Sequence, residues 1–99
     1  MNDRLVLVVS LWVKEENISA YEKFERRAEA LMNNHGGRIE RVVRLERSAD
    51  EPFEIHIVTF PDEQAFAAYR TDPETIALAP ERERVIARTM LLRGHDVSI

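Results

Sequence analysis

The chain contains no cysteine. That excludes a disulfide scaffold, a thiolate zinc site and a cysteine nucleophile, and it leaves the redox compartment open. Glycine is scarce, with three residues in all. The one adjacent pair, Gly36-Gly37, ends a helical pattern instead of opening one, so there is no glycine-rich phosphate loop. Positive charge is outnumbered, with 14 Lys and Arg against 18 Asp and Glu for a net charge of −4. Phosphate binding needs a basic face, so no nucleic-acid partner is expected. Long apolar runs are absent too. The longest, Leu5 to Val13, falls well short of the roughly 20 residues that cross a bilayer. It leads into Lys14-Glu15-Glu16 and not into a small-residue cleavage site. The reading is neither membrane span nor signal peptide, and a cytoplasmic protein is expected.

What is there suits one small globular domain over residues 1–99. Hydrophobic residues make 44% and charged residues 32% of the chain, so it is neither disordered nor fibrous. Leu5 to Val13 is rich in branched residues and apolar on both faces, the pattern of a central strand covered on both sides. Leu5, Leu7, Val9 and Leu11 share one face; Val6, Val8, Ser10 and Trp12 share the other. A helix follows, with Ile18, Tyr21, Phe24, Ala28, Leu31 and Met32 in one stripe at helical spacing. Ser19 with Glu22 fits a capping box and Asn17 fits as an alternative cap. Glu22 and Arg26 fit an i,i+4 pair on the wet face. The helix stops at His35-Gly36-Gly37.

A second strand is expected from Arg38 to Glu46, and its many charges suit a sheet edge. Ile39, Val43 and Leu45 are read on one face, most of the charges on the other. Ser48 to Pro52 reads as a turn. The third strand, Phe53 to Phe60, puts Glu54, His56, Val58 and Phe60 on one face. Asp62 caps a second helix carrying Phe66 and Tyr69, and Asp72-Pro73 starts another helical piece. Pro80 kinks or restarts it, and Thr89 to Gly94 forms a fourth strand. The order β-α-β-β-α-β is the ferredoxin-like α+β plan, with a four-stranded antiparallel sheet whose first and third strands are central.

In that plan the helices cover one face of the sheet. The other face is expected to show Val6, Val8, Trp12, Val42, Val58 and Phe60, an area of roughly 500 Å². A monomer seldom leaves that much apolar surface bare, so a two-fold dimer packed sheet to sheet is expected. The monomer alternative folds the kinked helix and tail over that face.

Tyr21-Glu22-x-Phe24, His35-Gly36-Gly37-Arg38, Thr59-Phe60-Pro61-Asp62 and Phe66-x-x-Tyr69-x-x-Asp72-Pro73 together resemble the dimeric α+β-barrel superfamily. The chain is most similar to its small single-domain members of uncharacterised function, over about Leu5 to Gly94. These motifs are punctuation: a helix stop, a strand end and two helix caps. The resemblance implies a homodimer with a cavity between sheet and helices or inside the barrel. Its members include cofactor-free oxygenases, isomerases and lyases on small ring compounds, haem-using enzymes, and proteins without known activity. None of their catalytic motifs transfers residue by residue.

The candidate site is assembled from the central strands. Matching their midpoints sets Ser10 opposite His56 and Trp12 opposite Glu54, all on the dimer-facing side, where a slip of one residue would flip every side chain. His56 is the candidate catalytic proton carrier. Ser10, Trp12, Glu54 and Phe60 are candidate substrate contacts, and Tyr69 is another if its hydroxyl reaches a cavity beneath the helices. The competing reading makes His56 and Ser10 hydrogen-bonded residues of a packed interface. His35 is read as a helix-end cap, His95 as part of a solvated tail, and Arg38 as an edge-strand surface residue or an anion anchor. The three histidines lack HxH or HxxxH spacing, so no metal and no cofactor is expected. Two function classes stay open: a small-molecule-binding homodimer with cofactor-free chemistry on an apolar or ring compound, and a non-catalytic dimeric binding or interaction module.

Overall fold

The computed structural model describes residues 4–46 and 50–99. The order is β1 (Leu5–Val13), a 3-10 turn (Glu15–Asn17), α1 (Ile18–Asn34), β2 (Arg38–Arg44), β3 (Glu54–Phe60), α2 (Glu63–Thr71), α3 (Pro73–Ala77), α4 (Ala79–Val85) and β4 (Ile86–Gly94). The strands lie in the order β2-β3-β1-β4, and every neighbouring pair is antiparallel. The four-stranded ferredoxin-like plan is therefore present, with the apolar β1 and β3 central and β2 and β4 at the edges. The expected turn over Ser48 to Pro52 lies partly outside the described residues; Asp50 sits in a turn.

Local chemistry explains the boundaries. Asp62 accepts from the Ala65 N–H at 2.8 Å and caps α2, and Asp72 accepts from the Glu74 N–H at 2.9 Å ahead of Pro73 and caps α3. Pro80 lies in the first turn of α4, where its missing N–H costs nothing. β4 begins at Ile86, before the expected Thr89, because Val85 and Ile86 are both buried. The start of α1 differs from expectation. Neither Asn17 nor Ser19 caps it; Asn17 Nδ2 donates instead to the Arg84 carbonyl at 3.0 Å, tying the start of α1 to the end of α4.

The end of α1 is a Schellman turn. The Gly37 N–H reaches the Met32 carbonyl at 2.8 Å, the Gly36 N–H reaches that of Asn33 at 3.1 Å, and Gly36 has φ +78°. Gly37 is required for a separate reason. A Cβ there would sit 2.4 Å from the Phe60 ring, so β2 enters the sheet pressed flat on that ring.

The β1–β3 register sets which side chains the helices cover. Leu5 faces Phe60, Leu7 faces Val58, Val9 faces His56 and Leu11 faces Glu54. Ser10 therefore pairs with Ile55, not with His56, and Trp12 does not pair with Glu54. The expected register was off by one residue. Glu54, His56, Val58 and Phe60 project to the helix side with Leu5, Leu7 and Leu11, and Val58 and Phe60 are core residues packed with Phe66. Val42 pairs with His56 and shares that side, so it too leaves the open face. In β2 a bulge between Ile39 and Arg41 shifts the alternation. It puts Ile39 against Val58 on the helix side and Val43 against Ile55 on the open side, separating residues read together in sequence.

The molecule is two layers, one sheet and one helix layer, with a Cα extent of 16 Å along its shortest axis. The open sheet face carries Val8, Ile55, Ile57 and Val43, with Met90 at 39% and Leu92 at 55% exposure.

Substituting Gly37 with alanine is expected to cost about 2 kcal/mol, since overpacking a tight contact typically costs 1–3 kcal/mol. Gly94, whose added Cβ would meet nothing within 4 Å, is the control, and Gly94→Ala should change stability by less than about 0.5 kcal/mol. Urea denaturation of the two variants checks the pair; equal midpoints would refute the close approach.

Candidate functional site

The helix-covered face of β3 places two titratable side chains in the interior. Glu54 and His56 are each 4% exposed. A buried carboxylate persists only when its oxygens are bonded. Glu54 Oε2 accepts from Arg44 Nε at 2.8 Å and Nη2 at 2.6 Å, and Oε1 accepts from the Tyr21 hydroxyl at 2.7 Å. His56 Nε2 lies 2.9 Å from the same Oε1 and 3.3 Å from the Tyr21 oxygen. Arg44 arrives from β2, directly across from Glu54. Its guanidinium lies 4.5 Å above the Phe53 ring and its outer nitrogen 3.2 Å from Glu22. Glu22 thus serves Arg44, where an intrahelical pair with Arg26 was expected.

These bonds decide the charge states. Burial pushes the Glu54 carboxyl up, but the bonds from His56, Tyr21 and Arg44 outweigh it and hold the group below the usual carboxylate range. Burial, with Glu25 and the bond to Glu54 adding to it, pushes the Tyr21 phenol far up, so it stays a neutral donor. With Glu54 ionised and able only to accept, the hydrogen-bond network assigns a proton to His56 Nε2. In the neutral ring Nδ1 is then the basic nitrogen, and it lies 3.5 Å from Glu25 Oε1. Burial pushes the Glu25 carboxyl up, opposed by His56 and Arg82. A carboxylate thus orients the imidazole through one ring nitrogen and leaves the other beside a second carboxyl, the arrangement in which a histidine can pass a proton.

His56 and Glu25 border two concavities. A cavity of about 120 Å³ lies between the sheet and the helices. Its wall includes Leu7, Phe24, Met32, Phe66 and Tyr69, and its polar groups are His56, Glu25, Arg82 and Thr89. A charged groove of about 480 Å³ runs between α1 and β2, past Glu22, Arg26, Glu29 and Arg44.

Four of the residues singled out in sequence meet on this side. Glu54 and His56 are bonded to each other, while Phe60 and Tyr69 line the cavity with ring centroids 5.6 Å apart. Burial, and Glu25 after it, push the Tyr69 phenol up. Ser10 and Trp12 are on the opposite face of the sheet and cannot share a site with His56. Trp12 is held there by a bond from Nε1 to the Asp50 carbonyl at 3.1 Å and by Arg88, 4.4 Å above its ring. His35 is the C-cap of α1, its backbone N–H donating to the Met32 carbonyl at 2.9 Å, while its ring pairs with Asp72 at 2.8 Å; this bond, with the Glu74 N–H, holds the Asp72 carboxyl low. His95 is exposed, and Asp96 beside it accepts from Arg4 at 2.6 Å. Arg38 is exposed on β2.

Sequence reading took Tyr21 as core, Arg44 as an edge charge and Arg82, in the run Glu81 to Arg84, as part of a solvated helical face, and it passed over Glu25 altogether. Glu25 had a signal. It lies one helical turn after Tyr21, at the border of the apolar stripe. Among the described residues no group of three His, Asp or Glu is placed to hold a metal ion, and no helix is long and apolar enough to cross a membrane.

Fold and site together define a ferredoxin-like α+β protein with a helix-covered cavity and a buried Tyr-Glu-His network. Its chain belongs to the family described as Domain of unknown function (DUF1330), whose model matches residues 7–94. Among solved structures it is similar to a protein of unknown function from Rhodopseudomonas palustris, with TM-score 0.82 and 14% identity over 100% of this chain and 86% of that one. It is similar to a dabb family protein with a ferredoxin-like fold from Mesorhizobium loti, with TM-score 0.71 and 13% identity over 96% and 98%. It is also similar to SnoaB, a cofactor-independent oxygenase from Streptomyces nogalater, with TM-score 0.69 and 17% identity over 96% of each chain. No curated protein is a significant match.

Acid should weaken the fold through Glu54. Its carboxyl titrates lower folded than unfolded, so its contribution is present above the unfolded value and is lost as pH falls below about 4. Glu54→Gln is expected to cost about 2 kcal/mol at pH 7, the scale of hydrogen bonds to a charged group. The gap between wild type and variant should narrow below about pH 4. Denaturation midpoints across pH 3–7 check this; parallel curves would refute it.

Proposed function

We propose that this protein is a homodimer that binds a small apolar or ring compound in the helix-covered cavity, with His56 as the proton carrier. The observation that carries this reading is the buried histidine on the cavity wall, oriented by an ionised carboxylate that is itself bonded three ways. A purely packed core gains nothing from such a group, because burying polar side chains costs energy that their bonds only offset. His56 Nδ1 accepts a proton from an acidic C–H or O–H of the ligand. That is the first step common to isomerisation, elimination and cofactor-free oxygenation. Phe60 and Tyr69 supply ring surface, and Glu54 positions the imidazole. SnoaB shares the fold and is a cofactor-independent oxygenase; the likeness supports a cavity-centred reading without assigning this chain a reaction. Ser10 and Trp12 drop out of the substrate-contact set, since the sheet separates them from His56.

The dimer rests on the other face. With all helices on one side, Val8, Ile57, Met90 and Leu92 stand on a sheet surface of roughly 500 Å². Two such faces together bury about 1,000 Å², the lower bound for a specific interface.

Native mass spectrometry of gently purified protein tests both parts. The expected species is a dimer of 11.5 kDa chains that carries a small-molecule mass. His56→Ala is expected to remain dimeric and lose that mass, because His56 lies on the face turned away from the partner. A bare wild-type dimer that takes up no ligand favours the non-catalytic module. A monomer at micromolar concentration overturns the dimer.

A further inference from the structure

Resting on that reading, we infer that the cavity takes a small monoanion, a carboxylate on at most one six-membered ring, with its charge held by Arg82 at the cavity mouth. Three observations converge. The first is size. An apolar cavity of ~150 Å³ is known to hold benzene, and the cavity here is smaller, about 120 Å³, so one ring is the upper limit and fused rings are excluded. The second is where the cavity opens. Among its lining residues Leu7, Phe24, Ala28, Val58, Phe60 and Phe66 are buried, whereas Arg82 and Leu91 are exposed and Thr89 is partly so. The mouth therefore lies between α4 and β4.

The third is the state of the cation at that mouth. Several other arginines are engaged by carboxylates: Arg27 by Glu81, Arg44 by Glu54 and Glu22, Arg93 by Glu63, Arg4 by Asp96. Arg82 Nη2 donates instead to the neutral Thr89 hydroxyl at 2.6 Å, and among the described residues no ion pair engages it. One of its five donors is used, and the planar fork suits a carboxylate. Glu25 and Tyr69 also face this space. Burial pushes the Glu25 carboxyl up, opposed by His56 and Arg82, and an un-ionised Tyr69 phenol adds no negative charge. An anion seated on Arg82 would point its apolar end inward, past His56, toward Phe24 and Phe66.

Isothermal titration with four probes tests the inference: benzoate, benzyl alcohol, benzylamine and 1-naphthoate. Benzoate is expected to bind more tightly than either uncharged or cationic analogue, and 1-naphthoate not to bind. Arg82→Ala should weaken benzoate at least about tenfold, in line with loss of a charge-assisted hydrogen bond. Arg82→Lys should fall between, since it keeps the charge and loses the fork. Benzyl alcohol or benzylamine binding as tightly as benzoate, or unchanged affinity in Arg82→Ala, overturns the anion assignment and leaves the cavity as a ligand site. If none of the four binds, the cavity reading itself falls and the anion assignment with it.

Discussion

The carboxylate of Glu54 is the constraint around which this molecule is arranged. It sits inside, on a central strand, beneath a helix, and it is charged. A charge in that position is tolerated only if donors reach it from every side. Arg44 reaches it from β2, Tyr21 from α1 and His56 from two residues along β3 itself. Three elements are thereby set relative to one another by direction-dependent bonds, where apolar packing alone would tolerate small slides. Arg44 can do this because it is at the sheet edge. Its Nε and Nη2 serve Glu54 while Nη2 also reaches Glu22, and the half-exposed guanidinium stays near water, so the pair avoids most of the cost of full burial.

The same constraint explains the register. β3 reads Glu-Ile-His-Ile-Val-Thr-Phe, and both of its faces offer enough apolar surface to lie under helices. Hydropathy favours, if anything, the face with Ile55 and Ile57 inward. The polar face goes inside because the partners for its polar groups are there: Tyr21 for both, Arg44 for Glu54. At the far end the Phe60 ring fills the space that Gly37 leaves open. A glutamate-histidine pair on a strand thus went to the covered side against the usual expectation for polar residues.

Much of the fold was legible because punctuation and composition carry it. The aspartate caps, the proline starts and the double glycine each act within a few residues, and they placed the elements. The apolarity of Leu5 to Val13 and the charge of Arg38 to Arg44 sorted central from edge strands. Register is a non-local property, and matching strand midpoints left it undecided between neighbouring residues. Ser10 and Trp12 were assigned to the open side, where they are; Glu54, His56, Val58 and Phe60 were assigned to the wrong side of the sheet for that reason alone. The β2 bulge has no sequence signature, since Glu40 is an ordinary edge residue, yet it decides that Val43 faces outward. His56 and Glu54 were identifiable as chemistry-bearing residues from type alone; their company was not.

The division of labour between the two faces follows. On the open side the sheet presents the branched and sulfur-bearing side chains of Val8, Ile55, Ile57, Met90 and Leu92, together with the polar Ser10, Thr59, Arg41 and Arg88. On the helix side every polar group of the central network is bonded, and the space left over is small, ring-sized and bordered by a histidine. Had the register fallen one residue the other way, His56 and Glu54 would have stood on the open face, away from Tyr21. The observed register keeps Glu54 and His56 off the open face and sets His56 beside a cavity that opens between α4 and β4. A change at Leu92 therefore acts on one face of the sheet and a change at Arg82 on the other.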